Sequence, residues 1–220
     1  AGNPKKFTST LQKEGIKVVH VVSSVKFALK AQEAGVDAVV AEGFEAGGHN
    51  GKEETTTLVL TPAVADAIDI PLVSAGGIKD GRSMLACIAL GADGVQMGSR
   101  FVMSKESSAH EHFKLAIQNA TEGSTHLTLK ELTPVRLLKN PFYQQIQDAY
   151  SKGSSNHELK QLLGKGRAKK GMFLGDMVNG ELEIGQAAAY MDDILSADSI
   201  IQNTLKEYKL ALSRIQNLLN

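Results

Sequence analysis

The sequence predicts an α/β protein of the (β/α)8 barrel type, and three observations carry that prediction. Short β-branched runs alternate with helix-patterned segments four times between Gly15 and Ser99. Successive βα units imply parallel strands, because a helical crossover returns the chain to the same end of the sheet. Glycines follow the second, third and fourth runs, at Gly43, Gly76-Gly77 and Gly98, which is the strand edge where barrels and doubly wound sheets hold ligands. Neither G-x-G-x-x-G nor G-x-x-x-x-G-K-[ST] follows any run, so the barrel is the better fit of the two.

The elements read in order. Lys17 to Val22 is nearly all β-branched and bounded by Gly15 and Ser23-Ser24, a buried strand. Ser23 or Ser24 caps a helix from Val25 to Ala34, closed by Gly35. Asp37 to Ala41 is the second strand. After the loop from Gly43 to Gly51, Thr61-Pro62 opens a helix with proline at its first position, running to about Ile68. Pro71 to Ala75 is the third strand, Asp80 caps a helix from Gly81 to Leu90, and Gly91 to Met97 is the fourth strand. Beyond Phe101, Thr125 to Lys130 and Pro134 to Leu138 alternate polar and apolar, which predicts a small antiparallel excursion. From Asn156 the pattern is helical, broken around Gly164 to Gly180. The stripe Ile201, Leu205, Tyr208, Leu212, Ile215 and Leu219 predicts a terminal helix docked on the body.

Composition narrows the function classes. With 220 residues, 42% of them hydrophobic and 22% charged, the chain is too apolar to be disordered and long enough to bury a core. Lys+Arg 24 balance Asp+Glu 24, so no global attraction to nucleic acid or an anionic membrane is expected. The apolar runs fall well short of the ~20 residues of a spanning helix. The single Cys87 cannot form an internal disulfide, and a cytoplasmic setting is expected.

Three segments carry candidate chemistry. The loop from Glu42 to Gly51 has glycines at 43, 47, 48 and 51, which let the backbone approach a ligand and expose its N–H groups. His49, carried at its end, is a candidate acid, base or hydrogen-bond donor. The turns Ser74 to Ile78 and Gln96 to Arg100 end consecutive strands; two such turns suit a phosphate held by backbone N–H groups, with Ser99 adding a hydroxyl, although simple turn chemistry explains either one alone. The remaining groups read as structural: His110 and His112 as solvated helix residues, Cys87 as a core thiol, and Lys165, Arg167, Lys169 and Lys170 as a solvated basic connection.

Glu45-Ala46-Gly47-Gly48-His49-Asn50-Gly51, then Ala75-Gly76-Gly77-Ile78-Lys79-Asp80-Gly81, then Gln96-Met97-Gly98-Ser99-Arg100-Phe101, in this order and spacing, resemble the nitronate monooxygenase family, formerly 2-nitropropane dioxygenases. The related flavin-type enoyl-acyl-carrier-protein reductases share the pattern. The resemblance continues through Pro134 to Asn140 and the helical tail. It implies an FMN-dependent barrel in which Gly76, Gly77, Gly98 and Ser99 hold the FMN phosphate. Gln96 and Met97 would line the ribityl and phosphate region, Gly47 and Gly48 would lie against the flavin, and Glu42 would be a polar flavin contact. His49 matches the family's active-site histidine. Ser99 stands where threonine is commoner, which keeps the hydroxyl.

The activity this implies is oxidation of alkyl nitronates or nitroalkanes by dioxygen to a carbonyl compound and nitrite, with the small-molecule substrate and dioxygen as partners. The reductase alternative would use NAD(P)H and an enoyl thioester, and a third reading is a truncated, inactive flavin-barrel fragment that acts only as a flavin-binding half or as a subunit. An inosine-monophosphate-dehydrogenase type of barrel needs a nucleophilic cysteine, whereas Cys87 is mid-helix. Four βα units cannot close eight strands. The opening Ala1-Gly2-Asn3-Pro4 resembles the loop after the family's fourth strand, so the resemblance implies the C-terminal half of the barrel, strands five to eight, in residues 1–120. A helical region at 121–220 would pack on it, and open sheet edges would seek a missing N-terminal half-barrel or a second copy.

Overall fold

The computed structural model describes residues 2–218; of the residues named above, Ala1 and Leu219 lie outside them. Two compact units interleave along the chain: Ala1–Glu45, Glu53–Met97 and Ile201–Asn220 form the first, Ala46–Lys52 and Gly98–Ile200 the second.

In the first unit, β1 (Val19–Val22), β2 (Ala38–Glu42), β4 (Leu72–Ala75) and β5 (Gly94–Gln96) form one parallel sheet in the order β1-β2-β4-β5. No strand is skipped within this sheet, which is the winding of a barrel wall and lacks the reversal point of a doubly wound sheet. The chain is thus an α/β protein of the (β/α)8 type that carries part of a barrel. Helix α1 (Thr8–Lys13) precedes β1, and helices α2 (Val25–Glu33), α3 (Thr57–Ala65) and α4 (Gly81–Ala89) connect the strands. Val22, Val39, Leu60, Val64 and Leu72 are among the residues of the buried core.

One device recurs. Asp37 precedes β2 and its carboxylate accepts from Val18 N–H at 2.8 Å, while Asp37 N–H donates back to Val18 O. Asp93 does the same before β5, with Leu72 as partner. Each aspartate ties the entry of its strand to the entry of the neighbour and so sets the parallel register. These clamps also explain why β1 and β5 begin later than the β-branched pattern predicts. The capping predictions hold at Ser24, whose hydroxyl accepts from Phe27 N–H, and at Asp80, which forms a capping box with Ser83. Cys87 is a buried core residue.

Two expectations are corrected. Helix α3 starts at Thr57, so Pro62 lies inside it instead of opening it; the cause is a distant cap, described below. The terminal helix α9 (Ala197–Asn217) does form, but of the described residues of its apolar stripe only Tyr208 lies on the docked face. Ile201, Leu205, Leu212 and Ile215 are exposed. The covered face carries Thr204 and, half-buried, Glu207, Tyr208 and Ala211. That face meets the start of α4 at Gly81, where a Cβ would overlap the backbone of Thr204 and Tyr208. Backbone approach at a glycine, and not apolar periodicity, decides which side turns inward.

In the second unit, β3 (Gly48–His49), β7 (Val135–Leu138) and β6 (Thr125–Thr128) form an antiparallel sheet in the order β3-β7-β6. The predicted excursion is therefore present, joined by a strand that the loop reading missed. Around it lie α5 (Ser99–Val102), α6 (Glu111–Gln118), α7 (Pro141–Ser151) and α8 (Asn156–Leu163), then a π turn at Lys169–Phe173 and a 3-10 turn at Gln186–Tyr190. Phe113, Ile117, Leu182 and Ile184 pack in one core, and Val135, Leu137, Phe142 and Ile146 in another. Among the described residues, no helix is long and apolar enough to cross a membrane.

Candidate functional site

At the carboxyl edge of the first unit's sheet stand Glu42, Gly76-Gly77 and Gln96-Met97. Glu42 ends β2 half-buried, and burial pushes its carboxyl above the ordinary range. Gly43 N–H donates to Ala75 O at 2.9 Å, and a Cβ at Gly43 would overlap Thr57. At Gly76, with φ +103, a Cβ would stand 2.7 Å from Thr57 Oγ1. Thr57 N–H donates to the Glu45 carboxylate at 2.9 Å, and Thr57 Oγ1 lies 2.9 Å from both Glu45 Oε2 and Gly76 O. Glu45, twelve residues upstream, thus caps α3 in place of Thr56, whose side chain makes no cap bond. This is why α3 begins before its proline.

Once these contacts are made, a run of backbone donors remains. Among the described residues, the N–H groups of Gly76, Gly77 and Ile78 have no acceptor, and Gly77 is exposed. The start of α4 is different: Gly81 N–H donates to Glu207 Oε2, and Arg82 and Ser83 N–H to Asp80 Oδ1. The anion-binding capacity of this edge therefore lies in the glycine turn, ahead of the helix.

The second unit holds the rest of the predicted site residues. Gly98 is exposed, has φ −87, and a Cβ there would meet nothing within 4 Å. Neither a left-handed backbone nor a neighbour accounts for glycine at this position. Ser99 Oγ accepts from Gly185 N–H at 3.0 Å, which leaves its own hydrogen to donate. Arg100 is buried and committed to Asp193 at 2.7 Å.

The glycine loop proves to be strand-bound. Gly48 pairs with Arg136 and His49 with Val135, and Asn50 N–H donates to Pro134 O. A Cβ at Gly47 would overlap the backbone of Ile184 and Gly185, and one at Gly48, where φ is +76, would stand 2.7 Å from Glu183 Oε2. The protein's own segment 183–185 is what crowds the Cβ positions of these two glycines. The same segment receives Ser99, so it joins the His49 loop and the Ser99 turn. The His49 side chain is exposed and makes no hydrogen bond among the described residues.

Two acids missed in the sequence lie here. Burial pushes the Glu183 carboxyl up, opposed by the nearby His49. Glu181 is buried and pushed up to about 7 by burial and by Glu183, against the pull of Arg167. Arg167 itself donates to the carbonyls of Leu162, Leu163 and Asn179 and stacks 4.2 Å over Phe142. The one arginine of the basic cluster is a clamp on α8 and not a solvated charge. The alternation Glu181-Leu182-Glu183-Ile184, with Leu182 and Ile184 buried, was the available signal for the acid pair.

A singly wound parallel sheet with uncommitted N–H groups at its carboxyl edge is that of a barrel-class α/β protein. The chain belongs to the nitronate monooxygenase family, whose profile matches residues 1–207. It is 34% identical over 215 residues to a probable nitronate monooxygenase of Staphylococcus saprophyticus, covering 93% of this chain and 60% of that protein. Among solved structures, FabK from Thermotoga maritima is 40% identical with a TM-score of 0.92, covering 99% of this chain and 69% of that one. The nitroalkane oxidase from Streptomyces ansochromogenes is 29% identical with a TM-score of 0.77, covering 96% and 62%. The chain thus spans about 60% of the length of the curated relative.

Proposed function

We propose that the chain is part of an FMN-dependent oxidoreductase that oxidises alkyl nitronates or nitroalkanes with dioxygen, giving a carbonyl compound and nitrite. The observation that carries this reading is that, among the described residues, the N–H groups of Gly76, Gly77, Ile78, Gly98 and Ser99 meet no acceptor, together with the open space at Gly98. Family membership supplies the reaction class. These residues fit a phosphate: neutral donors at glycine turns and a free hydroxyl hydrogen on Ser99.

In this reading Gly76, Gly77, Gly98 and Ser99 hold the FMN phosphate, Gln96 and Met97 line its ribityl end, and Glu42, Gly47 and Gly48 border the flavin. When bound, the flavin supplies the electron transfer. His49, whose exposed side chain makes no hydrogen bond among the described residues, takes the α-proton of a neutral nitroalkane or orients the nitro group. The setting is cytoplasmic, and the open sheet is completed by a further half-barrel or a second copy.

A second reading is favoured by one observation, the 40% identity to the enoyl-ACP reductase FabK. There NAD(P)H would reduce the flavin and an enoyl thioester would be the acceptor. The test begins with FMN added to the purified protein. Bound-flavin absorbance is expected, and a protein that stays colourless leaves the inactive-fragment reading. Nitrite release from ethyl nitronate under oxygen without NAD(P)H supports the oxidase reading. NAD(P)H oxidation with an enoyl thioester and no nitrite supports the reductase.

A further inference from the structure

We propose that Gly185 is the positioning residue for Ser99: its main-chain N–H occupies one lone pair of the Ser99 hydroxyl and leaves the hydroxyl hydrogen to be given to a phosphate. The proposal rests on the reading of Ser99 as a phosphate contact and adds what sets the direction of that side chain.

The hydrogen bond has a defined sense. Gly185 is buried, and its N–H donates to Ser99 Oγ at 3.0 Å. An N–H cannot accept, so the hydroxyl does, and its one hydrogen stays outside this bond. Among the described residues that hydrogen meets no acceptor. Ser99 is half-buried, and its neighbour Gly98 is exposed, with open space where a Cβ would stand. A hydroxyl held in this way needs no reorientation when an anion arrives beside it. Satisfying the buried Gly185 N–H calls only for an acceptor, which a main-chain carbonyl would supply. The hydroxyl brings a surplus donor that a purely structural role leaves unused.

The amide that does this is itself held. Leu182 O accepts from Leu138 N–H at 2.8 Å and Glu183 bridges Leu137, so the segment entering Gly185 is tied to β7. A Cβ at Gly47 would stand 2.5 Å from Gly185 N, which shows how closely the two backbones are packed. Beyond the 3-10 turn at Gln186–Tyr190, Asp193 takes Arg100, the residue after Ser99. Arg100 Nη2 lies 2.7 Å from Asp193 Oδ1, and Nη1 donates to Asp193 O at 3.2 Å. One stretch, 185–193, thus grips two consecutive residues at the start of α5, the first through an amide and the second through an ion pair.

The test compares FMN with riboflavin, which has the same ring and ribityl chain without the phosphate, on the purified protein. Ser99→Ala should weaken FMN binding about ten-fold and leave riboflavin binding nearly unchanged. Gly185 has φ −78 and ψ 169, which proline adopts, so Gly185→Pro removes the N–H and keeps the backbone conformation. It should weaken FMN binding about five-fold, spare riboflavin, and add nothing in the Ser99→Ala background. Equal losses for the two flavins, or a full further loss in the double variant, overturn the proposal. A loss in Ser99→Ala with none in Gly185→Pro overturns the positioning role and keeps the phosphate reading. No loss in Ser99→Ala, or a wild type that binds no FMN, overturns both.

A second measurement needs no variant. Ile184-Gly185 is the only isoleucine–glycine step in the sequence, so carbonyl-13C isoleucine with 15N glycine isolates the Gly185 amide signal. Saturating FMN should move this signal well beyond any shift that riboflavin causes. Equal shifts with the two flavins, or none with either, overturn the proposal.

Discussion

The glycines of the loop after β2 and those of the turns after β4 and β5 look alike in the sequence and differ in cause. At Gly43, Gly47 and Gly48 the missing side chain makes room for Thr57, for the Ile184-Gly185 backbone and for the Glu183 carboxylate. Among the described residues, it makes room for nothing at Gly98, and the N–H groups at Gly76 to Ile78 meet no acceptor. The first loop is a packing joint, and the two turns carry N–H groups that meet no acceptor among the described residues. A glycine motif therefore marks close approach without saying whether the approaching group is protein or ligand.

The largest break in that comparison should come at Gly47. Its Cβ would overlap main chain, which cannot rotate away, so Gly47→Ala should destabilise the protein by about 3 kcal/mol or more in urea unfolding. If Gly47→Ala instead folds normally and loses only flavin, the joint is a ligand contact after all.

The pattern of what the sequence disclosed follows from range. Capping at Ser24 and Asp80 acts within three residues and was readable. So was the βα alternation, because periodicity is local. The start of α3 was not, since its cap is Glu45, and proline at position 62 offered a misleading local signal. Strand β3 consists of two residues whose partners, Val135 and Arg136, lie more than eighty positions away, and no two-residue pattern can announce that. The apolar stripe of α9 was visible, but the covered side was set by contact with Gly81. Of the site, the donors at Gly76-Gly77 and Gly98-Ser99 were legible as motifs. Glu181 and Glu183 were not, because an acid among buried residues is recognised only once its neighbours are placed.

The acid pair gives the next effect. Glu181 is raised from 4.5 to about 7, so the folded state binds its proton more tightly than the unfolded chain does. Stability should then fall as pH rises from about 4.5 to about 7 and level off above. Glu181→Gln should remove this slope and stabilise the protein at pH 8 by up to about 3 kcal/mol, with little change at pH 4. Urea midpoints at the two pH values check it; equal shifts at both would mean that Glu181 is paired more effectively than its surroundings indicate.

Gly98 sharpens the other half of the comparison. Its φ suits any residue and its Cβ would face open space, so Gly98→Ala should change stability by less than about 0.5 kcal/mol. If the turn holds the FMN phosphate, the added methyl stands where the ligand approaches, and FMN affinity should fall about ten-fold, close to 1.4 kcal/mol. Flavin fluorescence titration measures this. Unchanged affinity with unchanged stability would remove Gly98 from the clamp.

The smallest effect concerns α9, where the sequence pattern and the structure disagree on which face matters. Leu205 and Leu212 belong to the apolar stripe yet are 41% and 36% exposed, while Thr204 is 7% exposed. A side chain that keeps much of its contact with water loses little on truncation, since the transfer term scales with the area removed from water. Leu205→Ala should therefore cost about 1 kcal/mol in this chain, and Leu212→Ala slightly more. Replacing Gly81 tests the opposite face, because a Cβ there would overlap the α9 backbone, and Gly81→Ala should cost several times more than either leucine. The reverse ranking would mean that α9 docks by its apolar stripe, as periodicity alone predicts.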